Sequence, residues 1–168
     1  MEILIISRNN IEELSLRPFK KATTLICITD FDYTFANLKY EPQYLLQMTF
    51  DDVPVGDGFF EEKGRTLSDE EIASFENKYS SITAGRVEQI ICFYNSVKDS
   101  AEVLICQCEH GQSISAAIVA ATKEFESGSG IDIFASDLYY PNKSVYRKVV
   151  KYLNKYKIFN FHEYFVYT

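Results

Sequence analysis

The sequence predicts an α/β domain, a single compact domain over residues 1–168 in which a central, mostly parallel sheet is flanked by helices on both faces. Three observations predict it. A length of 168 residues suits one domain with a sizeable core. Short apolar, β-branched runs alternate with segments of helical periodicity, which is the order typical of α/β proteins. The run "AEVLICQC" (101–108) is almost continuously apolar, as expected of a buried central strand.

The first half of the chain contains three predicted strands, at 2–7, 22–30 and 43–52. The third runs out into a loop rich in Gly, Pro and Asp. A helix is then expected from "LSDEEIASF", where Ser68 as N-cap and Glu71 three residues later form a capping box.

The second half is predicted to hold three helices and the strand at 101–108. The first helix spans 83–98, because four apolar residues share one of its faces: Val87, Ile90, Ile91 and Tyr94. The second helix follows Cys108 after a short turn, and its small residues favour close packing on the sheet: Ala116, Ala117, Ala120 and Ala121. Pro141 suits the first turn of the last helix, which has an apolar stripe at Val145, Val149 and Leu153.

Composition and charge exclude some functions. The net charge is −7 and no stripe of Lys or Arg occurs, so binding to nucleic acid or anionic membranes is disfavoured. The longest apolar runs are far shorter than a membrane span, and "MEILIIS" is not a signal peptide. A cytoplasmic protein is expected.

The four cysteines are expected to be reduced thiols rather than a disulfide framework. Cys106 and Cys108 lie two residues apart on a predicted strand, so their side chains should leave the same face. No second pair or histidine cluster accompanies them. We therefore expect no metal and no cofactor.

The loop after Cys108 has the layout of a nucleophile beside an anion-binding backbone. The N–H groups of residues 109–115 can point inward, and the following helix adds partial positive charge; both stabilise a thiolate. Gly111 permits a turn that a side chain would hinder. Ser113 and Ser115 are placed to cap the helix or to donate to the sulfur. A cysteine at a strand end is otherwise a common packing residue.

The segment "CEHGQSIS" resembles the phosphate-binding loop of the protein tyrosine and dual-specificity phosphatase superfamily. That loop has Cys, five residues, Arg, then Ser or Thr, with Gly three places after the Cys. Cys108, Gly111 and Ser115 match, whereas Ile114 stands at the arginine position. The resemblance implies Cys108 as nucleophile and a phosphate-binding loop made of Glu109, His110, Gly111, Gln112, Ser113 and Ile114.

The resemblance extends, more loosely, over the whole chain. "MTFDD" is similar to the general-acid segment, which implies Asp52, or Asp51, as the acid. "ISRNNIEEL" and "PNKSVYRKVV" resemble a bacterial subgroup of small phosphatase-like proteins. The residue before the cysteine, usually His, is Gln107, so one contact that supports the thiolate is missing. The implied partner is a phosphorylated protein or a small phosphate monoester.

The implied reaction passes through a phosphocysteine. The thiolate attacks phosphorus, the Asp protonates the leaving oxygen, and water releases phosphate while Ser115 assists departure of the thiolate. The arginine of the family holds the phosphoryl oxygens with two charge-assisted bonds. Loss of one oxyanion donor typically costs roughly 10²–10³ in rate, so Ile114 predicts impaired or lost hydrolysis.

Ile114 is also expected to put an apolar branch where the ligand oxygens would lie. Four arginines would restore charge only if the fold brought one close: Arg8, Arg17, Arg65 and Arg86. The resemblance implies that Arg147 lines the pocket without matching the geometry of the missing arginine. His110 can supply charge when it is protonated, although Glu109 beside it can neutralise that charge.

Whether the chain is an enzyme stays open at this point. The first hypothesis is a phosphatase-like protein with impaired or lost activity. The alternative is a non-catalytic module that binds a phosphorylated ligand or a protein, that is, a pseudophosphatase. A sulfurtransferase is a third reading, although its loop is typically one residue shorter, and the spacing from Cys108 to Ser115 favours the phosphatase loop.

Overall fold

The computed structural model describes residues 1–53, 68, 70, 74 and 82–165. Within them the strands are β1 (Glu2–Ser7), β2 (Thr23–Thr29), β3 (Tyr44–Thr49) and β4 (Val103–Cys108). The helices with described bounds are α1 (Arg8–Leu14), α2 (Ala84–Val97), α3 (Ile114–Ser127), α4 (Ile131–Phe134) and α5 (Lys143–Phe165). Glu71 of the predicted capping box, and Arg65, lie outside the described residues.

The strands form one sheet in the order β1-β4-β2-β3, and every described pair is parallel. The predicted α/β class with a parallel central sheet is therefore confirmed. β4 lies in the interior of the sheet, with Ile105 paired to Leu4 of β1 and to Leu25 of β2. Because the strands are parallel, their carboxyl ends meet at one edge, where loops of α/β proteins usually bind ligands.

Alternation along β4 divides its side chains between two cores. Leu104, Cys106 and Cys108 belong to the main core, which also contains buried residues of α2, α3 and α5. Val103 and Ile105 belong to a second core on the other face, with Ile11 of α1. Cys106 and Cys108 thus share a face, as predicted. Both faces are covered by helices, although α1 is a short one.

Helix α3 packs directly on the sheet. Its four predicted packing residues, Ala116, Ala117, Ala120 and Ala121, have no exposed surface. The absence of long side chains lets the helix approach β4, and α5 packs against its other side. The helix ends at Gly128, which adopts the left-handed conformation (φ 80°) common at a helix C-terminus.

Two of the boundaries that differ from the prediction lie near the carboxyl edge of the sheet. β3 ends at Thr49 rather than at residue 52; Phe50 N still donates to Thr29 O (3.0 Å), and a turn follows in which Val53 N donates to Asp51 O (2.9 Å). Pro141 is not in the first helical turn, because α5 begins at Lys143.

Asn142 is the residue that starts α5. Its side-chain Oδ1 accepts from Ser144 N (3.0 Å) and Val145 N (3.1 Å), which is the bonding pattern of an N-cap. In the described ranges, no helix combines the length and apolarity needed to cross a membrane.

Candidate active site

Cys108 and Ser115 face each other across the loop that joins β4 to α3. Cys108 is the last residue of β4 and Ser115 is the second residue of α3. Both are buried, and Cys108 Sγ lies 3.0 Å from Ser115 Oγ. The hydroxyl is within hydrogen-bonding distance of the sulfur, so it can donate to a thiolate. Two of the residues singled out by sequence are therefore brought together.

Gly111 sets the path of this loop. Its φ of +68° lies in the left-handed region, where residues with a side chain are disfavoured. A Cβ added there would lie 2.7 Å from Ser7 N and 2.8 Å from Ile6 C. The loop therefore rests directly on the end of β1, at a distance that only glycine allows.

The residues around 140 hold the other side of the loop. Tyr140 N donates to Gln112 O (2.9 Å), and Asn142 N donates to Ser113 O (3.4 Å). Ser113 is the N-cap residue of α3 by position, but its side chain makes no capping bond. Of the two serines expected to cap or to contact the sulfur, Ser115 makes the sulfur contact.

Ile114 supplies no charge to the loop. Its side chain is 2% exposed and belongs to the same core cluster as Cys108. The residue at the arginine position therefore contributes apolar packing around the end of β4. The loop from 109 to 115 contains His110 as its one residue able to become cationic.

Arg8 is the arginine that reaches the loop. Its Nε donates to Glu109 Oε2 (2.7 Å), and its backbone N donates to Glu109 O (3.1 Å). The same guanidinium donates to Thr29 Oγ1 (3.2 Å), and to the carbonyl oxygens of Thr34 and Phe35. Arg8 is thus fully engaged in fixing the loop to the ends of β1 and β2.

Arg86 and Arg17 have described positions away from the loop. Arg86 lies over the ring of Phe31, with 5.3 Å between the guanidinium carbon and the ring centroid. Arg17 lines a groove whose floor includes Val103 and Ile105, on the face opposite to Cys108.

Carboxylates gather at this edge of the sheet. Asp30 follows β2 directly, and its pKa is raised by burial and then by the negative charges of Asp51, Asp52 and Glu109; His110 acts in the opposite direction. Burial is the largest cause, and the smaller contributions of the three carboxylates indicate negative charge at this edge. Such charge opposes the approach of a phosphate dianion.

Asp52 is held by Asn142. The amide Nδ2 of Asn142 donates to Asp52 Oδ1 (2.7 Å) and to Val53 O (3.3 Å). Asn142 therefore joins the segment that carries Asp52 to the cysteine loop and to the start of α5. Asp51 instead accepts from Phe31 N (3.1 Å).

Gln107, the residue before Cys108, points to the opposite face of the sheet. Its Oε1 accepts from Cys27 Sγ (2.7 Å), and both residues are buried. Burial is the main cause that raises the pKa of the Cys27 thiol, while Arg8 lowers it. Gln107 thus has its described partner on the face that Cys108 does not share.

Sequence reasoning missed the roles of two residues that organise the site: Asn142 was not singled out, and Arg8 was considered only as a source of positive charge. Asn142 had a signal, because Asn directly before an apolar helical pattern is a preferred N-cap. Arg8 had none, because Glu109 lies 101 positions away in the chain. In the parts of the chain that the structure describes, no three His, Cys, Asp or Glu side chains are placed to hold a metal ion.

Comparison with known proteins gives little further information. No protein-family model matches the chain. No curated protein matches it at a significant level. A solved mouse protein assigned as a dual specificity phosphatase, in complex with zinc tungstate, is similar with a TM-score of 0.47 and 17% identity, over 91% of this chain and 82% of that chain. This similarity is too low to assign a family or an activity.

Proposed function

We propose that the chain is a phosphatase-like protein, one domain over residues 1–168, with impaired or lost hydrolysis of phosphate monoesters. The observation that carries the proposal is the 3.0 Å contact between Cys108 Sγ and Ser115 Oγ, next to a buried Ile114. This contact between a thiol and a hydroxyl supports chemistry through a phosphocysteine. The cation that would clamp the phosphoryl group is not among the residues of the loop.

The roles follow from this arrangement. Cys108 is the nucleophile position: its thiolate forms the S–P bond as the bond from phosphorus to the leaving oxygen breaks. Asp52 is the general-acid position and protonates that oxygen. Water then attacks phosphorus, and Ser115 donates to the departing thiolate. Residues 109–115 supply the backbone N–H groups around the phosphoryl oxygens.

Two features support impairment. Arg8 cannot take over the clamp without leaving Glu109 and the oxygens of Thr29, Thr34 and Phe35. Four carboxylates act at this edge, since Asp51, Asp52 and Glu109 add to burial in raising the pKa of Asp30, and their negative charge opposes the binding of an anion. The proposal places the chain among small bacterial, cytoplasmic proteins that act on, or bind, a phosphorylated protein or a small phosphate monoester.

The alternative is a non-catalytic module that binds a protein. Exposed aromatic side chains favour it: Phe31 (51% exposed), Tyr33 (59%) and Tyr140 (70%). Phe31 and Tyr140 are tied to the same edge through Asp51 and Gln112. Apolar rings beside carboxylates suit a basic partner better than a phosphorylated one.

The experiment that tests the first proposal is hydrolysis of p-nitrophenyl phosphate by the wild-type protein, Cys108→Ser and Ile114→Arg. We expect wild-type turnover at or just above the level of Cys108→Ser. Ile114→Arg should raise it by roughly 10²-fold or more, since it adds a charged donor to the phosphoryl oxygens. A gain that Cys108→Ser abolishes supports the phosphatase-like site. A high wild-type rate that depends on Cys108, and that Ile114→Arg does not raise, would contradict the proposal.

Because Ile114 is buried, its arginine variant needs a check of folding, with Ile114→Leu as the matched control. If the arginine variant unfolds, wild type and Cys108→Ser still decide whether turnover depends on the thiol. Binding of an oligoarginine peptide tests the alternative. Saturable, salt-sensitive binding that Asp30→Asn weakens and Cys108→Ser does not would favour the protein-binding module.

A further inference from the structure

A groove lies on the sheet face opposite to α3, away from Cys108. Its floor consists of Leu4 of β1 and of Val103 and Ile105 of β4. Val103 begins β4, whereas Cys108 ends it, and their side chains belong to different cores. The groove and the candidate active site therefore lie at opposite ends of β4 and on opposite faces of the sheet.

The wall of the groove is apolar and partly open to solvent. It is built from the end of α1 and the segment that follows: Leu14, Leu16, Pro18 and Phe19. Leu14 is 45% exposed and Leu16 is 57% exposed. Large apolar side chains that are exposed side by side along a groove indicate a binding surface more strongly than scattered ones do. The volume, about 700 Å³, falls in the range of small-molecule sites.

The rim of the groove carries cations without partners. Lys21 is paired with Glu2, at 3.2 Å. Arg17 and Lys20 also line the groove, and neither side chain makes a hydrogen bond or ion pair in the described part of the chain. Glu13 is the remaining charged residue of the lining. The lining thus holds three cations and two carboxylates, a net charge of +1 in a protein of net charge −7, which favours an anionic ligand.

We propose that this groove binds an amphipathic carboxylate, of the class of medium-chain fatty acids. The hydrocarbon chain lies along Leu14 and Leu16, where it removes exposed apolar surface from water. The carboxylate pairs with Arg17 and Lys20, because a guanidinium matches a carboxylate with two parallel bonds. The site is independent of the proposed function and shares none of its residues.

Fluorescence titration with dansyl-labelled undecanoate tests the proposal on the full chain. We expect saturable binding that decanoate displaces, and that decanol, which has the same chain without the charge, displaces at least about fivefold less well. Equal displacement by decanol would overturn the assignment of a carboxylate. Absence of saturable binding would overturn the site.

Variants locate the binding. The double variant Arg17→Gln, Lys20→Gln should weaken binding of the probe by about tenfold, since it removes both charged partners. Lys151→Gln is the matched control, because Lys151 is exposed on α5 and does not line the groove. Leu16→Asp, on an exposed position, should also weaken binding. Unchanged affinity in the double variant, or a dimer by sedimentation that decanoate does not dissociate and that Leu16→Asp abolishes, would overturn the proposal.

Discussion

Arg8 Nε lies 2.7 Å from Glu109 Oε2, and this ion pair fastens the cysteine loop to the residue that follows β1. Both side chains are largely shielded, with 16% of Arg8 and 33% of Glu109 exposed. The same guanidinium reaches Thr29 Oγ1 and two carbonyl oxygens of the segment after β2. One side chain therefore joins three chain segments at the carboxyl edge of the sheet.

Arg8→Gln should lower the free energy of unfolding by about 2 kcal/mol, because a partly buried carboxylate and several oxygens lose their donor. Urea unfolding measures this. A cycle with Glu109→Gln should give a coupling of about 1 kcal/mol. Arg17→Gln is the control, with a change within about 0.5 kcal/mol. A coupling near zero would mean that the pair does not fix the loop.

Gly111→Ala should destabilise the protein by more than about 2 kcal/mol, because it combines a left-handed backbone with a Cβ 2.7 Å from Ser7 N. Gly85→Ala, in the first turn of α2 with nothing within 4 Å of the added Cβ, should be neutral or stabilising by up to about 1 kcal/mol. Thermal unfolding of both variants makes the comparison. Equal effects would show that the loop does not depend on close contact with β1.

Asp30→Asn should make stability at neutral pH higher and less dependent on pH. The folded protein holds the Asp30 proton more tightly than the unfolded chain, because burial and nearby carboxylates raise its pKa from the usual 3.8. The parent is therefore most stable relative to the variant below pH 3.8, where the carboxyl is protonated in both states, and its free energy of unfolding falls as the pH rises through the raised pKa. Urea unfolding from pH 3 to 7 should show that the free energy of unfolding of the variant increasingly exceeds that of the parent as the pH rises. Parallel curves for parent and variant over this range would contradict the role assigned to the Asp30 carboxyl.

Asn142→Ala should cost about 1–2 kcal/mol, because it removes the N-cap of α5 together with the amide that holds Asp52. Asn142→Ser keeps a capping oxygen and should recover most of this stability. It does not restore the donor to Asp52 and Val53. Hydrogen exchange at Val53 N–H should therefore be faster in both variants; slow exchange in Asn142→Ser would show that the amide is not what holds this segment.

Thr24→Val should stabilise the protein by about 1 kcal/mol. Thr24 Oγ1 is buried and has no hydrogen-bond partner, and valine has nearly the same shape without the hydroxyl. Thr122→Val is the control, since Thr122 Oγ1 donates to Ile118 O at 2.9 Å, and it should not stabilise. Chemical unfolding separates the two. A loss of stability in Thr24→Val would indicate that the hydroxyl is satisfied in solution.

The sequence predicted the fold where a pattern was local and long. The continuous apolar run of β4 and the alanines of α3 were sufficient to place the central strand, the turn and the packed helix. Helix α1 was not predicted. It has seven residues, of which only Ile11 is buried, and one buried residue cannot show the periodicity of apolar residues that indicates a helix. The predicted strand at 43–52 was too long. After Thr49 the chain turns, so that Asp51 accepts a hydrogen bond from Phe31 N through its side chain and another from Val53 N through its carbonyl oxygen.

The candidate site was predictable only in part, for a similar reason. Cys108, Gly111 and Ser115 lie within eight residues, so their spacing was readable. Arg8 meets Glu109, and Asn142 meets Asp52, only in the folded chain, because the members of each pair are far apart in sequence. For this reason the sequence could not show whether another arginine replaces the one that is missing at position 114.

The burial of Ile114 bears on how such a chain can change over generations. The Ile114 side chain is 2% exposed and packs in the same core cluster as Cys108, so a codon change to arginine removes that packing while it adds charge to the loop. The gain of charge and the loss of stability therefore come together in one substitution. A chain with stability to spare can accept that substitution, and stabilising changes elsewhere would make it easier to reach.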